Sequence, residues 1–138
     1  MQPIGNGAVM IGMGERTSPQ AVLWIARSLF RAGSAQVVLA VLLPKSRSDM
    51  HLDTVITMCD RDLDTAFAQV IGGARIWAIR PGDDADDLVV EETGGSLPQV
   101  MGDVLGVGDM RVVETGGDSF GAEREQTSAT CRRDLGEL

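Results

Sequence analysis

The 138 residues of this chain hold one histidine, two cysteines and no long apolar run. A single histidine, His51, leaves a multi-histidine metal site without its usual second ligand, and the carboxylates around it show no ligand spacing. Cys59 and Cys131 stand far apart in unlike contexts, which excludes a C-x-x-C metal or redox pair and a disulfide framework and makes reduced thiols the expectation. No run of 18 apolar residues is present for a transmembrane helix, and residues 1–13 lack a charged segment followed by a long apolar one. The expectation is therefore a cytoplasmic protein without membrane association. There is no basic tract, and a net charge of -8 disfavours the phosphates of nucleic acid while leaving small cationic ligands acceptable.

What is present describes a chain able to fold. With 43% hydrophobic and 23% charged residues, it is long enough to remove about two-thirds of its unfolded surface from water. Ala8 to Met13 is a short apolar run leading to Gly14, after which Thr17 and Ser18 offer helix caps and Pro19 suits a first turn. Val22, Ile25, Ala26, Leu29 and Phe30 make one apolar stripe, so a helix is predicted over 19–32, with Gly33 as its stop. Val37 to Leu43 is uninterrupted apolar and reads as a central strand covered on both faces, ended by Pro44.

Further strands are predicted at Met50 to Cys59, Arg75 to Ile79, Leu88 to Glu91 and Met110 to Glu114. Pro81-Gly82-Asp83-Asp84 is an acidic turn, and Ser96 caps a helix from Leu97 to Leu105 that turns Leu97, Met101, Val104 and Leu105 inward and ends at Gly106. This alternation argues an α/β fold. Gly5-x-Gly7 followed by Gly12 and Gly14 has the wrong spacing for a nucleotide loop, and no strand is predicted before it.

The most informative residues are His51 and Asp53. On a strand from Met50 their side chains would share a face about 7 Å apart, a spacing suited to a small, flat, cationic group. Taken alone, His51 reads as a hydrogen-bonded structural residue, Glu15-Arg16-Thr17-Ser18 as a solvated loop ending in a cap, and Cys59 as buried and inert.

Several segments in order change that reading: Gly12-Met13-Gly14-Glu15-Arg16-Thr17-Ser18, Leu43-Pro44-Lys45-Ser46-Arg47-Ser48, Met50-His51-Leu52-Asp53-Thr54-Val55, Thr115-Gly116-Gly117-Asp118 and Glu123-Arg124-Glu125-Gln126. Together they resemble the arginine deiminase family, from about Gly7 to Gln126. The resemblance implies the pentein fold, an α/β propeller of ββαβ units, of which this chain would be an incomplete part. It implies hydrolysis of L-arginine to L-citrulline and ammonia, with no cofactor and no metal. A cysteine attacks the guanidinium carbon, ammonia leaves, and water releases the product from a thiouronium. By the same resemblance His51 is the general acid and base, Asp53 grips the guanidinium, and Arg16 binds the substrate carboxylate, while Glu15 serves its loop.

The departures are equally specific. The family's nucleophile sits in an R-C-M-x-x-P segment that nothing here matches, and Cys131 lies in Thr130-Cys131-Arg132-Arg133-Asp134 instead. The family's catalytic glutamate, in E-G-G-D, and its first guanidinium-binding aspartate precede the G-E-R-T-S loop. Residues 1–126 are thus expected to be a partial arginine deiminase-like catalytic domain and 127–138 a divergent tail, as a reading-frame change or premature end would leave. The expectation is an internal fragment, nearly inactive alone, that self-associates or pairs with missing propeller blades. Two other readings remain open: a non-catalytic arginine-binding or assembly module, and a fragment of another guanidino-group enzyme such as an amidinotransferase or dihydrolase. The G-E-R-T-S loop, which serves the carboxylate of a free amino acid, favours the deiminase.

Overall fold

The computed structural model describes residues 1–43, 51–66, 74–84, 86–108 and 110–114. The chain opens with a β-hairpin, β1 (Gln2–Gly5) and β2 (Ala8–Met13). Gly5 and Ala8 pair across Asn6 and Gly7, whose φ values of 51° and 72° are both left-handed. Two consecutive positive φ angles make the tight turn whose twist matches the strands it joins, and Asn-Gly is the pair that tolerates it. A strand therefore does precede these glycines, and they serve a hairpin.

Helix α1 (Pro19–Arg31) begins where the sequence places it. Ser18 has extended backbone, φ -79° and ψ 158°, and its Oγ accepts a hydrogen bond from the Ala21 N–H at 3.2 Å. Pro19 occupies the first turn, where its missing N–H costs nothing. Val22, Ala26 and Phe30 are buried, and Ile25 and Leu29 pack beside them. Gly33 follows the helix with φ 69°.

β3 (Val37–Leu42) runs parallel to β2 with Ala8 opposite Val37 and Met13 opposite Leu42, so β2, α1 and β3 form one crossover unit. Then come α2 (Leu52–Val55), β4 (Ile56–Asp60), β5 (Leu63–Ala66), β6 (Arg75–Pro81), β7 (Leu88–Thr93), α3 (Leu97–Leu105) and β8 (Arg111–Glu114). The five-stranded sheet has the order β1-β2-β3-β6-β7, and a three-stranded sheet has the order β4-β5-β8. The described residues are thus a mixed α/β structure with two sheets.

β3 is the centre of the molecule. Val38 and Ala40 face the core under α1, while Val37, Leu39 and Val41 face the opposite core, shared with Leu52, Val55, Ile56, Ala66, Leu97 and Met101. Continuous apolar composition is what a strand covered on both sides requires. α3 caps as expected: the Ser96 N–H donates to the Gln99 side-chain oxygen at 3.0 Å, and Gly106 closes the helix with φ 71°. Leu97 and Met101 are buried, with Val104 and Leu105 partly so.

Two expectations change. Residues 50–59 do not form one strand: α2 is a turn of helix, and the strand starts at Ile56. Leu52 and Val55 are both buried, at 4% and 3% exposure, and their separation of three brings them to one side of a helical turn where strand alternation would part them. Packing thus overrides the β-propensity of Thr54 and Val55. Second, Cys59 is half-buried and disulfide-bonded, where a reduced thiol is expected from the sequence. Cys131, the expected tail from 127 and the resembling segments at 44–50 and 115–126 lie outside the described residues.

Candidate functional site

The site forms where β1 runs out. Gln2 pairs with Met10, whereas β2 continues to Met13, so the last residues of β2 have β3 on one side and no β1 partner on the other. A cleft of about 490 Å³ opens there. Its wall includes Gly12, Thr17, Ile25, His51, Leu52 and Asp53.

Each element brings its residues for a local reason. The Gly14 N–H donates to the Thr17 carbonyl at 3.0 Å, which folds 14–17 into a tight turn and carries Glu15 and Arg16 to its exposed tip. Ser18 then turns the chain into α1, leaving Thr17 at the cleft and Ile25 one side further along the helix. His51 precedes α2 with extended backbone, φ -127° and ψ 139°, and Asp53 lies in its first turn. The turn is held at its far end by the Thr57 hydroxyl, which donates to the Asp53 carbonyl at 3.1 Å. Leu52 points between these two into the core, so burial of one apolar side chain fixes the pair that flanks it.

His51 and Asp53 therefore meet at one cleft, as the sequence suggests, though through the start of a helical turn and not a shared strand face. Both are exposed. Arg16 is exposed next to Thr17 on the loop that borders the cleft, and it does not itself line the wall. Sequence reasoning missed Gln2 and assigned Thr17 only to capping. Gln2 also lines the cleft, and its Oε1 is buried without a hydrogen-bond partner. A signal for Gln2 would have been β1 itself, which the sequence reading did not find.

The chemistry of this wall favours a cationic group with an apolar stem: a carboxylate and an imidazole stand beside Ile25 and Leu52. No cluster of three metal-ligating side chains occurs among the described residues. Among them, too, no helix is long and apolar enough to cross a membrane.

Comparison with known families decides the relationship. The family model for arginine deiminase matches residues 1–132. The chain belongs to the arginine deiminase family. Membership of the arginine deiminase family extends the resemblance carried by the G-E-R-T-S and M-H-L-D-T segments to nearly the full length of this chain, and makes its family chemistry amidine hydrolysis, with arginine as the family's substrate.

Proposed function

We propose that this chain carries the substrate-binding and acid–base part of an arginine deiminase site. Asp53 accepts paired hydrogen bonds from the guanidinium, a planar cation whose parallel N–H groups match a carboxylate. His51 protonates the departing ammonia and then takes a proton from the water that releases citrulline, two steps suited to an imidazole. Arg16, on its turn beside Thr17, reaches the substrate carboxylate through its forked donors. The observation that supports this most directly is the common cleft of His51, Asp53 and Thr17, joined to the family relationship.

The reaction needs a cysteine nucleophile in this reading, and the 138 residues contain no R-C-M-x-x-P segment. Removing the nucleophile from a group that acts as a unit costs on the order of 10⁶ in rate in a well-studied protease. The chain by itself therefore binds arginine and forms no citrulline. In the same proposal residues 1–126 are part of a pentein propeller. The order β1-β2-α1-β3, with all three strands in one sheet, agrees with a ββαβ unit, whereas β6-β7-α3-β8 repeats only the chain order, since β8 pairs in the other sheet. β7 is an edge strand with Val89 and Val90 exposed at 44% and 48%, a surface fit for pairing with further blades or a second copy.

Titration calorimetry with L-arginine and with agmatine, which has the guanidinium but no carboxylate, tests the assignment. Arginine binds more tightly than agmatine, and Asp53→Asn loses both. Equal heats from the wild type and Asp53→Asn, or none from either, would refute it.

A further inference from the structure

β5 lies between β4 and β8 and is buried along its whole length. Within it stands Asp64, 0% exposed, with both carboxylate oxygens lacking a hydrogen-bond partner. Asp64 and Thr65 are the buried polar residues among those described, and Asp64 alone of the two can ionise. Its register partners are Met58 on β4 and Val112 on β8. Both pack against the core that also holds Ala66, two residues along on the same side of β5.

Burial strips water from an ionised carboxylate in such a place, its own backbone N–H offsets this only in part, and the neutral acid is the form that apolar surroundings tolerate. Among the described residues, the charged groups around it do not offset this. On β4 the nearest acidic residue is Asp60, register partner of Leu63. On β8, Glu114 is register partner of Ala66. Arg111 is engaged outward, its Nη2 donating to the exposed Asp62 at 2.8 Å. From α3, the inward residues Leu97, Val100 and Met101 are apolar, as are Leu52 and Val55 from α2.

We propose that Asp64 is a proton-operated latch on the three-stranded sheet: when protonated it lets β4, β5 and β8 close on the core that seats Leu52 and Val55, and when ionised it loosens that closure. The consequence reaches the cleft, because β4 continues directly from α2, whose Leu52 and Val55 rest on this core between His51 and the sheet. Burial raises the Asp64 pKa from 3.8 to about 6. A folded-state value above the unfolded one means that the folded form binds the proton more tightly. In the folded chain the latch is therefore half open at about pH 6, closed well below that and open well above it, while the folding equilibrium loses ground from about pH 4 to about pH 6 and is level beyond. Across those two pH units the folding equilibrium loses about a hundredfold, a decade per unit.

Denaturation of wild type and Asp64→Asn between pH 4 and pH 7.5 reads this directly, since the common carboxylates cancel in the comparison. The variant should gain about a hundredfold in folding equilibrium relative to wild type as pH rises from 4 to 6, with no further change to 7.5. A ratio constant with pH would overturn the latch. Carbon-13 NMR of the Asp64 carboxyl in the wild-type chain gives a second reading that needs no variant: a midpoint near 6 is expected, and a midpoint at the ordinary aspartate value sinks the proposal. Neither measurement depends on arginine binding, so the latch and the proposed function stand or fall separately.

Discussion

A β-carbon placed on Gly12 would lie 3.1 Å from the Cβ of Leu52 and 2.9 Å from Cδ1 of Leu43. The lack of one is what lets the turn bearing His51 and Asp53 settle against the end of β2. Glycine is needed here for space, since its φ is not among the left-handed ones. Gly12→Ala is expected to push Leu52 outward and cost about 1–3 kcal/mol, as overpacking in a filled core does. Arginine affinity should fall with it, measured by calorimetry, whereas unchanged stability and affinity would show that the neighbours yield freely.

Arg16 sits outside the cleft wall, so its role in the proposed site is tested best by difference. Arg16→Ala should weaken arginine binding by tenfold or more, as expected for loss of a charge-assisted pair, while leaving agmatine binding as it was. Equal losses for both ligands would show that Arg16 supports the loop and does not meet a carboxylate.

His51 is assigned to proton transfer and not to holding the ligand. His51→Ala should therefore change the arginine dissociation constant by less than about threefold, whereas Asp53→Asn should change it by tenfold or more. A larger loss from the histidine variant would move His51 from acid–base work to binding.

Ser18 starts α1 and fixes the turn that carries Thr17 and Arg16. Ser18→Ala removes the acceptor for the Ala21 N–H and should cost about 1 kcal/mol of stability in a urea denaturation, with Ser18→Asp retaining most of it. An alanine variant as stable as wild type would mean that water caps this helix equally well.

On α3 the constraint is harder. A β-carbon on Gly102 would collide with the Gly108 carbonyl oxygen. Backbone cannot rotate aside as a flexible side chain does, so Gly102→Ala should lower the melting temperature despite alanine's higher helix propensity. A rise in melting temperature would show that the 106–108 turn moves at little cost.

Much of the fold was legible in the residues themselves. The stripe on α1, the Ser18 and Ser96 caps, the stops at Gly33 and Gly106 and the continuous apolar β3 are local signals, each set by neighbours within a turn or two. β1 and β5 were not legible, because four-residue strands carry too little pattern to separate from loop. The site was legible in part. The motif segments point to His51, Asp53 and Arg16, but alternation along an assumed strand gives the wrong reason for the first two.

The sequence by itself determined the caps, the apolar faces, the acidic charge and the ancestry of the G-E-R-T-S and M-H-L-D-T segments. Only the tertiary structure decided that Leu52 and Val55 are buried together and so wind 52–55 into a helical turn. It likewise decided that the end of β2 is left open to form the cleft, and that Asp64 is enclosed without a partner. The reason is common to all three. Caps and stripes depend on contacts within a few residues, whereas burial depends on which distant strands close over a side chain, and no local pattern specifies that.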